Sequence, residues 1–284
     1  MRFVLATLAW LPRRAAFALG RFYAHLLDAA VTRLRGVARR NLELAFPEKD
    51  AAEREAIADG VFRSLGRSLV VFANLPSINE ENVREWIDYD GFEHFAEARR
   101  RGRGVLFATA HVGAWELSAY SHALMTEPMH VVVRPLDNPL LNALVERRRR
   151  GSGNSVIGKK ELARSILRAL AKNEAVGILI DQNSSAAEGV FVDFFGVKAC
   201  AHSGFAKLAA RSGAAVIPGF AVWDEALGRF VLKFLPIVPM TGDATADTQR
   251  LHHVLESFVR EHPDQWLWIH RRWKTRPPGE PPVY

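Results

Sequence analysis

The chain has 284 residues, 49% of them hydrophobic and 24% charged, which suits a folded protein with a large core and excludes a disordered or fibrous one. Its single cysteine, Cys200, excludes an intramolecular disulfide framework and a multi-cysteine metal site, and fits a reducing compartment. A formal net charge of +7 and a pI near 9.8, supplied mainly by arginine, favour anionic partners such as nucleic acid, an anionic membrane face, phosphorylated substrates or an acidic protein.

The first stretch, "MRFVLATLAWLPRRAAFALGRFYAHLLDAAV", has the look of a signal or anchor. Its apolar run, Phe3 to Leu11, covers nine residues before Pro12, Arg13 and Arg14 interrupt it, against the roughly 20 that a spanning helix needs. The heavier charge follows the run, whereas a secretory signal carries it in front. Two readings stay open. The segment is a helix at a membrane interface, with Arg13, Arg14 and Arg21 reaching headgroups and Trp10, Phe17, Phe22 and Tyr23 at the boundary, or it is an amphipathic helix on the protein body. Residues 1 to about 100 read as mainly helical; "AAEREAIADGVFRSLGRSLVVFANL" places apolar residues at helical spacing, with Gly60 and Gly66 as weak points.

From residue 104 short apolar runs alternate with amphipathic segments. Strands are expected at 104–110, 129–134, 154–158, 175–181, 189–196, 214–223 and 229–236, with helices at 113–125, 138–150, 160–172, 202–212 and 247–262. This alternation predicts an α/β fold, a mostly parallel sheet flanked by helices on both faces, with a helical N-terminal region. Ligands in such sheets gather beyond the carboxyl ends of the strands. His111 follows the first of these strands, Arg134 ends the second and Asp181 ends the "AVGILI" strand, so three reactive side chains fall at corresponding strand ends.

In "ATAHVGAWELSAY" His111 leaves the strand, Gly113 permits a tight turn, and Glu116 enters the first turn of the next helix. The helix dipole favours an ionised Glu116 there. Such a carboxylate on one imidazole nitrogen fixes the tautomer and leaves the other nitrogen able to take a proton from a hydroxyl. A structural hydrogen-bonded pair is the other reading. A zinc site lacks its ligands, since no His-Glu-x-x-His occurs and His122 faces an unknown direction. A serine hydrolase lacks its Gly-x-Ser-x-Gly elbow.

His111 and Glu116 form a His-x-x-x-x-Glu segment, the variant of the His-x-x-x-x-Asp motif of glycerolipid and lipid A acyltransferases. The block "RRNLELAFPE" (39–48), the stretch "VVRPLDNPLLNALVERRRRGSGNSVIG", the block "GILIDQNSSAAEGVFVDFFG", the unit "LAARSGAAVIPGFAVW" and the tail "DQWLWIHRRWKTRPPGE" resemble, in order, further blocks of the same family. From about residue 12 onward the chain is therefore similar to the bacterial lipid A late acyltransferases, the lauroyl and myristoyl transferases.

The resemblance implies one acyltransferase domain over 1–284, with an N-terminal membrane-interface segment (1–35) and a glycerolipid-acyltransferase-like α/β core (104–284). It implies a fatty acyl transfer from acyl carrier protein or acyl-CoA to a hydroxyl of a lipid A precursor, an anionic glycolipid, with no cofactor, metal or nucleic acid. It implies His111 as general base, Glu116 as its partner, and Arg134 and Asp181 lining the site. The thioester oxygen would be met by a backbone N–H near Gly113 or by Arg134. For Asp181 a turn cap, and for Arg134 a surface ion pair, remain the plain alternatives.

Arg147–Arg150, Lys159 and Lys160 are candidates for phosphate or for the acidic carrier protein, or else a solvated helix end. Arg271 and Arg272, with Lys274, Trp268 and Trp273, either meet substrate headgroups at the interface or pack on the body. Relatives in the family usually carry a longer hydrophobic anchor, so attachment to the cytoplasmic face of the inner membrane is expected to be peripheral or monotopic. The rival expectations are an acyltransferase acting on a lysophospholipid, an amino-acid lipid or a phosphatidylinositol mannoside, and a non-catalytic basic membrane-binding protein.

Overall fold

The structure, a computed structural model, describes residues 2–158 and 161–284, Arg2 by its backbone alone. Four helices open the chain: α1 (Arg2–Trp10), α2 (Arg13–Ala30), α3 (Thr32–Ala45) and α4 (Ala51–Asn74). A single turn, α5 (Val83–Trp86), leads to β1 (Ile87–Asp90) and α6 (Phe92–Arg100). Then come β2 (Val105–Thr109), α7 (Trp115–Met125), β3 (His130–Val132), α8 (Pro139–Arg150), β4 (Ser155–Ile157), α9 (Leu162–Ala171) and β5 (Ala175–Leu179). The remainder is β6 (Gly189–Phe194), β7 (Val197–His202), α10 (Gly204–Ser212), β8 (Ala215–Asp224), β9 (Arg229–Phe234) and α11 (Ala244–Glu261).

Seven strands form one sheet in the order β1-β9-β8-β2-β5-β3-β4, parallel throughout except for the β8–β9 pair. The α/β fold with a mostly parallel, helix-flanked sheet and a helical N-terminal region is thus the observed one. The central strands are buried on both faces, and alternate residues of β2 show it. Val105 and Phe107 join a core with α1, α4, α6 and α7, whereas Leu106 and Ala108 join one with α9, α10 and α11. A third core holds Leu42, Phe46, Phe194, Trp266, Trp268 and Trp273.

Two expectations needed correction. The 189–196 run is not in the main sheet: it pairs antiparallel with β7 as a separate hairpin, and β7 itself was not anticipated. Nor was β1, whose short "IDYD" lies inside the stretch read as helical.

The N-terminal helices are docked on the body. Leu5, Leu8, Ala16 and Ala24 are buried, and α2 crosses α4 at a glycine pair. A Cβ on Gly66 would stand 2.7 Å from the Gly20 carbonyl oxygen, and one on Gly20 would stand 2.6 Å from a Val70 methyl. Phe17 lies edge-on to Trp223, Tyr23 bonds with Thr7, and Arg13 sits over Trp86 while donating to the Gly228 carbonyl. These three side chains therefore belong to the body rather than to an interface.

Replacing Gly66 by valine should force the helices apart and cost about 1–3 kcal/mol, as overpacking does. Gly36→Ala, on α3 where nothing lies within 4 Å, should be neutral or stabilising. Thermal unfolding compares the two, and an unchanged midpoint for Gly66→Val would contradict the close crossing.

Candidate active site

Strand register assembles the site. β2 and β5 are parallel neighbours with Thr109 opposite Leu179, and β3 lies on the other side of β5. His111, Asp181 and Arg134 each come two residues after the end of one of these strands. His111 and Asp181 therefore meet. The His111 ring is bonded through Nδ1 to Asp181 Oδ1 at 2.9 Å, and the His111 backbone N–H donates to Oδ2 at 3.0 Å. Trp266 Nε1–H donates to the same Oδ2 at 2.8 Å.

Glu116 is not the group on the imidazole. Its carboxylate takes a two-pronged ion pair from Arg149, with Nε to Oε2 at 2.8 Å, and both side chains are largely shielded. The expected His111–Glu116 hydrogen bond gives way to His111–Asp181. The five-residue spacing puts Glu116 on α7, whereas the strand register brings Asp181 directly to the ring. Glu116 still lines the same cavity and adds a smaller electrostatic pull on the imidazole.

Burial works against both charges of the pair. Asp181 is nevertheless held well below the usual carboxylate range by the His111 charge, the two His111 hydrogen bonds and the Trp266 donor. Burial of His111 disfavours its cation, yet the Asp181 charge and hydrogen bond, with a smaller part from Glu116, outweigh it and raise the imidazole's pKa. Trp115 lies edge-on to the ring at 5.1 Å, and Nε2 faces the cavity with Gln182 Nε2 at 3.5 Å.

The turn that carries His111 is clamped from behind. Gly113 has φ +51°, and a Cβ there would lie 2.0 Å from the Ala221 carbonyl oxygen. The Gly113 N–H donates to the Gln265 carbonyl at 2.8 Å, and the His111 carbonyl accepts from Leu267 N–H at 3.0 Å. The Gly113 N–H is thus engaged, which removes it as the expected donor to a thioester oxygen.

A cavity of about 620 Å³ opens at His111 and runs between the sheet and α7. His111, Glu116, Arg149, Gln182 and Arg134 ring its polar part, and Phe107, Met129, Leu232 and Phe234 line its depth. An apolar cavity beneath a paired imidazole and cations suits a reactant with a polar head and a hydrocarbon tail. The comparison with known proteins agrees. The profile of the family described as bacterial lipid A biosynthesis acyltransferase matches residues 1–275. The chain belongs to that family.

Among its relatives, the lipid A biosynthesis palmitoleoyltransferase of Escherichia coli (strain K12) is 35% identical over 256 residues, covering 89% of this chain and 82% of that protein. The lauroyltransferase of the same strain is 32% identical, covering 99% and 92%. The myristoyltransferase is 29% identical, covering 92% and 80%. The enzyme is accordingly an O-acyltransferase.

Of the other residues singled out in this acyltransferase, Arg134 lies exposed at the cavity mouth. Arg272 is fully buried: one Nη donates to the Cys200 carbonyl at 2.7 Å, and the guanidinium lies over Phe194. It cannot meet a headgroup. Arg271 is exposed, sits over the Tyr284 ring and does not line the cavity. Trp268 and Trp273 are core residues. In the arginine run, Arg148 donates to the Ala73 carbonyl and Arg149 holds Glu116, leaving Arg147 and Arg150 exposed. Lys159 and Lys160 lie outside the described residues. Sequence reasoning missed Trp266, Trp115 and the pairing of Arg149; the tail motif signalled the first only as a resemblance.

Asp181→Asn should lower the His111 pKa by removing the charge that raises it. Proton NMR titration of the His111 ring signals reads this directly, and an unchanged midpoint would contradict the pairing. In the parent enzyme His111 contributes stability fully below its ordinary pKa of about 6.5 and loses it as pH rises through the raised value. Asp181 contributes above the ordinary carboxylate value of about 3.9, and loses it only as pH falls through its depressed one. The substitution should therefore cost most stability between those two ordinary values.

Proposed function

We propose that this enzyme moves a fatty acyl chain from an acyl thioester, carried by acyl carrier protein or coenzyme A, to a hydroxyl of a lipid A precursor. The observation that carries this reading is the His111 ring, bonded through Nδ1 to a buried carboxylate, with Nε2 facing an apolar cavity. The acceptor hydroxyl attacks the thioester carbonyl carbon, and its proton passes to Nε2. The new C–O bond forms as the C–S bond breaks, and the proton then goes to the leaving thiolate. No protein nucleophile takes part. His111 is the base and Asp181 orients it, the assignment this geometry supports.

Glu116 acts through Arg149. It holds the guanidinium beside the cavity, where it can meet the negative charge that grows on the thioester oxygen. The first-turn N–H groups and the dipole of α7 add to this field. Arg134, exposed at the mouth, suits an acceptor phosphate, for which a guanidinium offers two parallel donors. The relatives' names differ in the acyl chain they transfer, so family membership leaves the chain open.

Attachment to the cytoplasmic face of a bacterial inner membrane belongs to the same reading. Among the described residues no helix is long and apolar enough to cross a membrane. Phe3 and Trp10 on α1 are 76% and 88% exposed, and Phe22, Leu26 and Leu27 on α2 are exposed beside Arg14 and Arg21. Such a surface suits a monotopic helix pair.

His111→Ala and Glu116→Ala should each abolish transfer in a protein that still folds, with a lowered unfolding midpoint because each leaves a shielded charge without its partner; a parental rate in the His111 variant would sink the mechanism. Mass spectrometry of lipid extracts with and without the gene should reveal one missing acyl mass on lipid A, and its loss from a phospholipid instead would reassign the acceptor. Phe3→Ser combined with Trp10→Ser should reduce flotation with anionic vesicles, and undiminished flotation would count against α1 as the contact.

A further inference from the structure

A second cavity, of about 500 Å³, lies between α2, α3 and α4 and shares no residue with the one at His111. Its floor is an ion-pair network. Arg35 on α3 donates through Nε to both Asp28 oxygens at 2.9 and 3.0 Å, donates through Nη2 to Asp59 at 2.7 Å, and lies over the Phe62 ring. Glu55 receives Arg35 and also a two-pronged bond from Arg39. Two guanidiniums thus face three carboxylates, and the network keeps one negative charge. Asp59, the most exposed of the three at 55%, presents it at the opening.

The wall supplies the opposite sign. Arg21 and His25 on α2 and Arg63 on α4 line the cleft and are exposed, and among the described residues their side chains make no hydrogen bond or ion pair. A Cβ on Gly66 would stand 3.2 Å from the Arg21 backbone nitrogen, so the helices that carry Arg21 and Arg63 are locked together at the edge of the cleft. Arg21 and His25, four residues apart, share one face of α2. Phe22 and Leu26, each one residue further on, form the adjoining stripe and are 53% and 46% exposed. Cations, a surplus carboxylate and apolar side chains therefore border one opening.

We propose that this cleft binds the headgroup of an aminophospholipid at the membrane surface, with the phosphate between Arg21 and Arg63 and the primary ammonium at Asp59. The proposal rests on the membrane attachment read above. A purely anionic headgroup would meet the two guanidiniums but also the surplus carboxylate, and a simple cation would meet the reverse. A zwitterion with its charges two carbons apart answers both. The planar forks of Arg21 and Arg63 suit phosphate. A primary ammonium brings three N–H donors to the carboxylate, whereas a trimethylated one brings none. Phe22 and Leu26 offer apolar contact to the chains of the same lipid, which favours a lipid over a free phosphate compound.

Flotation of the enzyme is measured on vesicles of phosphatidylcholine alone and of phosphatidylcholine mixed with phosphatidylethanolamine, both without net charge. The parental enzyme should bind the mixed vesicles about tenfold more tightly, the size of a charge-assisted hydrogen bond. Arg21→Gln combined with Arg63→Gln, and separately Asp59→Asn, should remove that preference. Arg100→Gln combined with Arg168→Gln, exposed arginines outside the cleft, should keep it. A preference that survives in either folded cleft variant, that the control variant also loses, or that is absent while the parental enzyme still floats, would overturn the site and leave membrane attachment standing. Asp59→Asn breaks an ion pair, so a thermal melt accompanies each variant; if it fails to fold, the arginine pair, which holds nothing in the fold, decides. Saturation-transfer NMR with glycerophosphoethanolamine, glycerophosphocholine and inorganic phosphate gives a reading without membranes. The first should give a signal that the cleft variants lose, and equal signals from all three would overturn the ammonium contact. That signal in an enzyme that floats with no vesicle would uphold the chemistry of the cleft and overturn the membrane attachment.

Discussion

A buried carboxylate must be surrounded by donors fixed in place, and the requirement of Asp181 shapes the whole enzyme. Its oxygens are met by the backbone and ring of His111 and by the indole of Trp266, groups far apart in sequence. Removing one partner of a buried charge costs several kcal/mol, so each donor has to be delivered by a rigid element. The β2–β5 register delivers the histidine. A tail of three buried tryptophans delivers the indole, and that tail is itself anchored: the Asn41 amide donates to the Trp268 and His270 carbonyls, and Phe46 packs on Trp268. The early "RRNLELAFPE" block and the late tail, distant in the chain, thus form one support for a single carboxylate.

The same economy explains the two ion-pair systems of the site. His111–Asp181 lies within the turn region, where the imidazole has one nitrogen pinned and one facing the cavity. Glu116–Arg149 links α7 to α8 across the mouth. The proposed transfer needs a proton acceptor and a positive field at different places, and two separate pairs would allow each to be fixed independently. A direct Glu116–His111 bond would have taken the carboxylate away from the guanidinium.

Much of this was legible in the sequence, and the failures have physical causes. Near-continuous apolar runs marked the parallel strands, and the strand-end rule placed His111, Arg134 and Asp181 at one edge. The carboxylate partner was misassigned because spacing along a chain reports proximity only within one element. Contact between His111 and Asp181 depends on pairing between strands 70 residues apart. β7 was overlooked because "VKACAH" carries small residues and a lysine, too weak an apolar signal for a strand that hides against the aromatic tail. The sequence leaves Arg272 between a headgroup contact and packing on the body; only the fold reveals that a carbonyl and an aromatic face enclose it.

The dependence of His111 on residues 265–267 also sets an order of events during synthesis. A nascent chain that has emerged through β9 holds every strand of the sheet and both members of the His111–Asp181 pair, yet lacks the segment that bonds to the 111–113 turn and the indole that completes the carboxylate's shell. Contacts of such wide sequence separation form late in folding. The sheet can therefore be assembled on the ribosome well before the His111 ring is held in place, and a translating polysome would carry folded but unarmed enzyme.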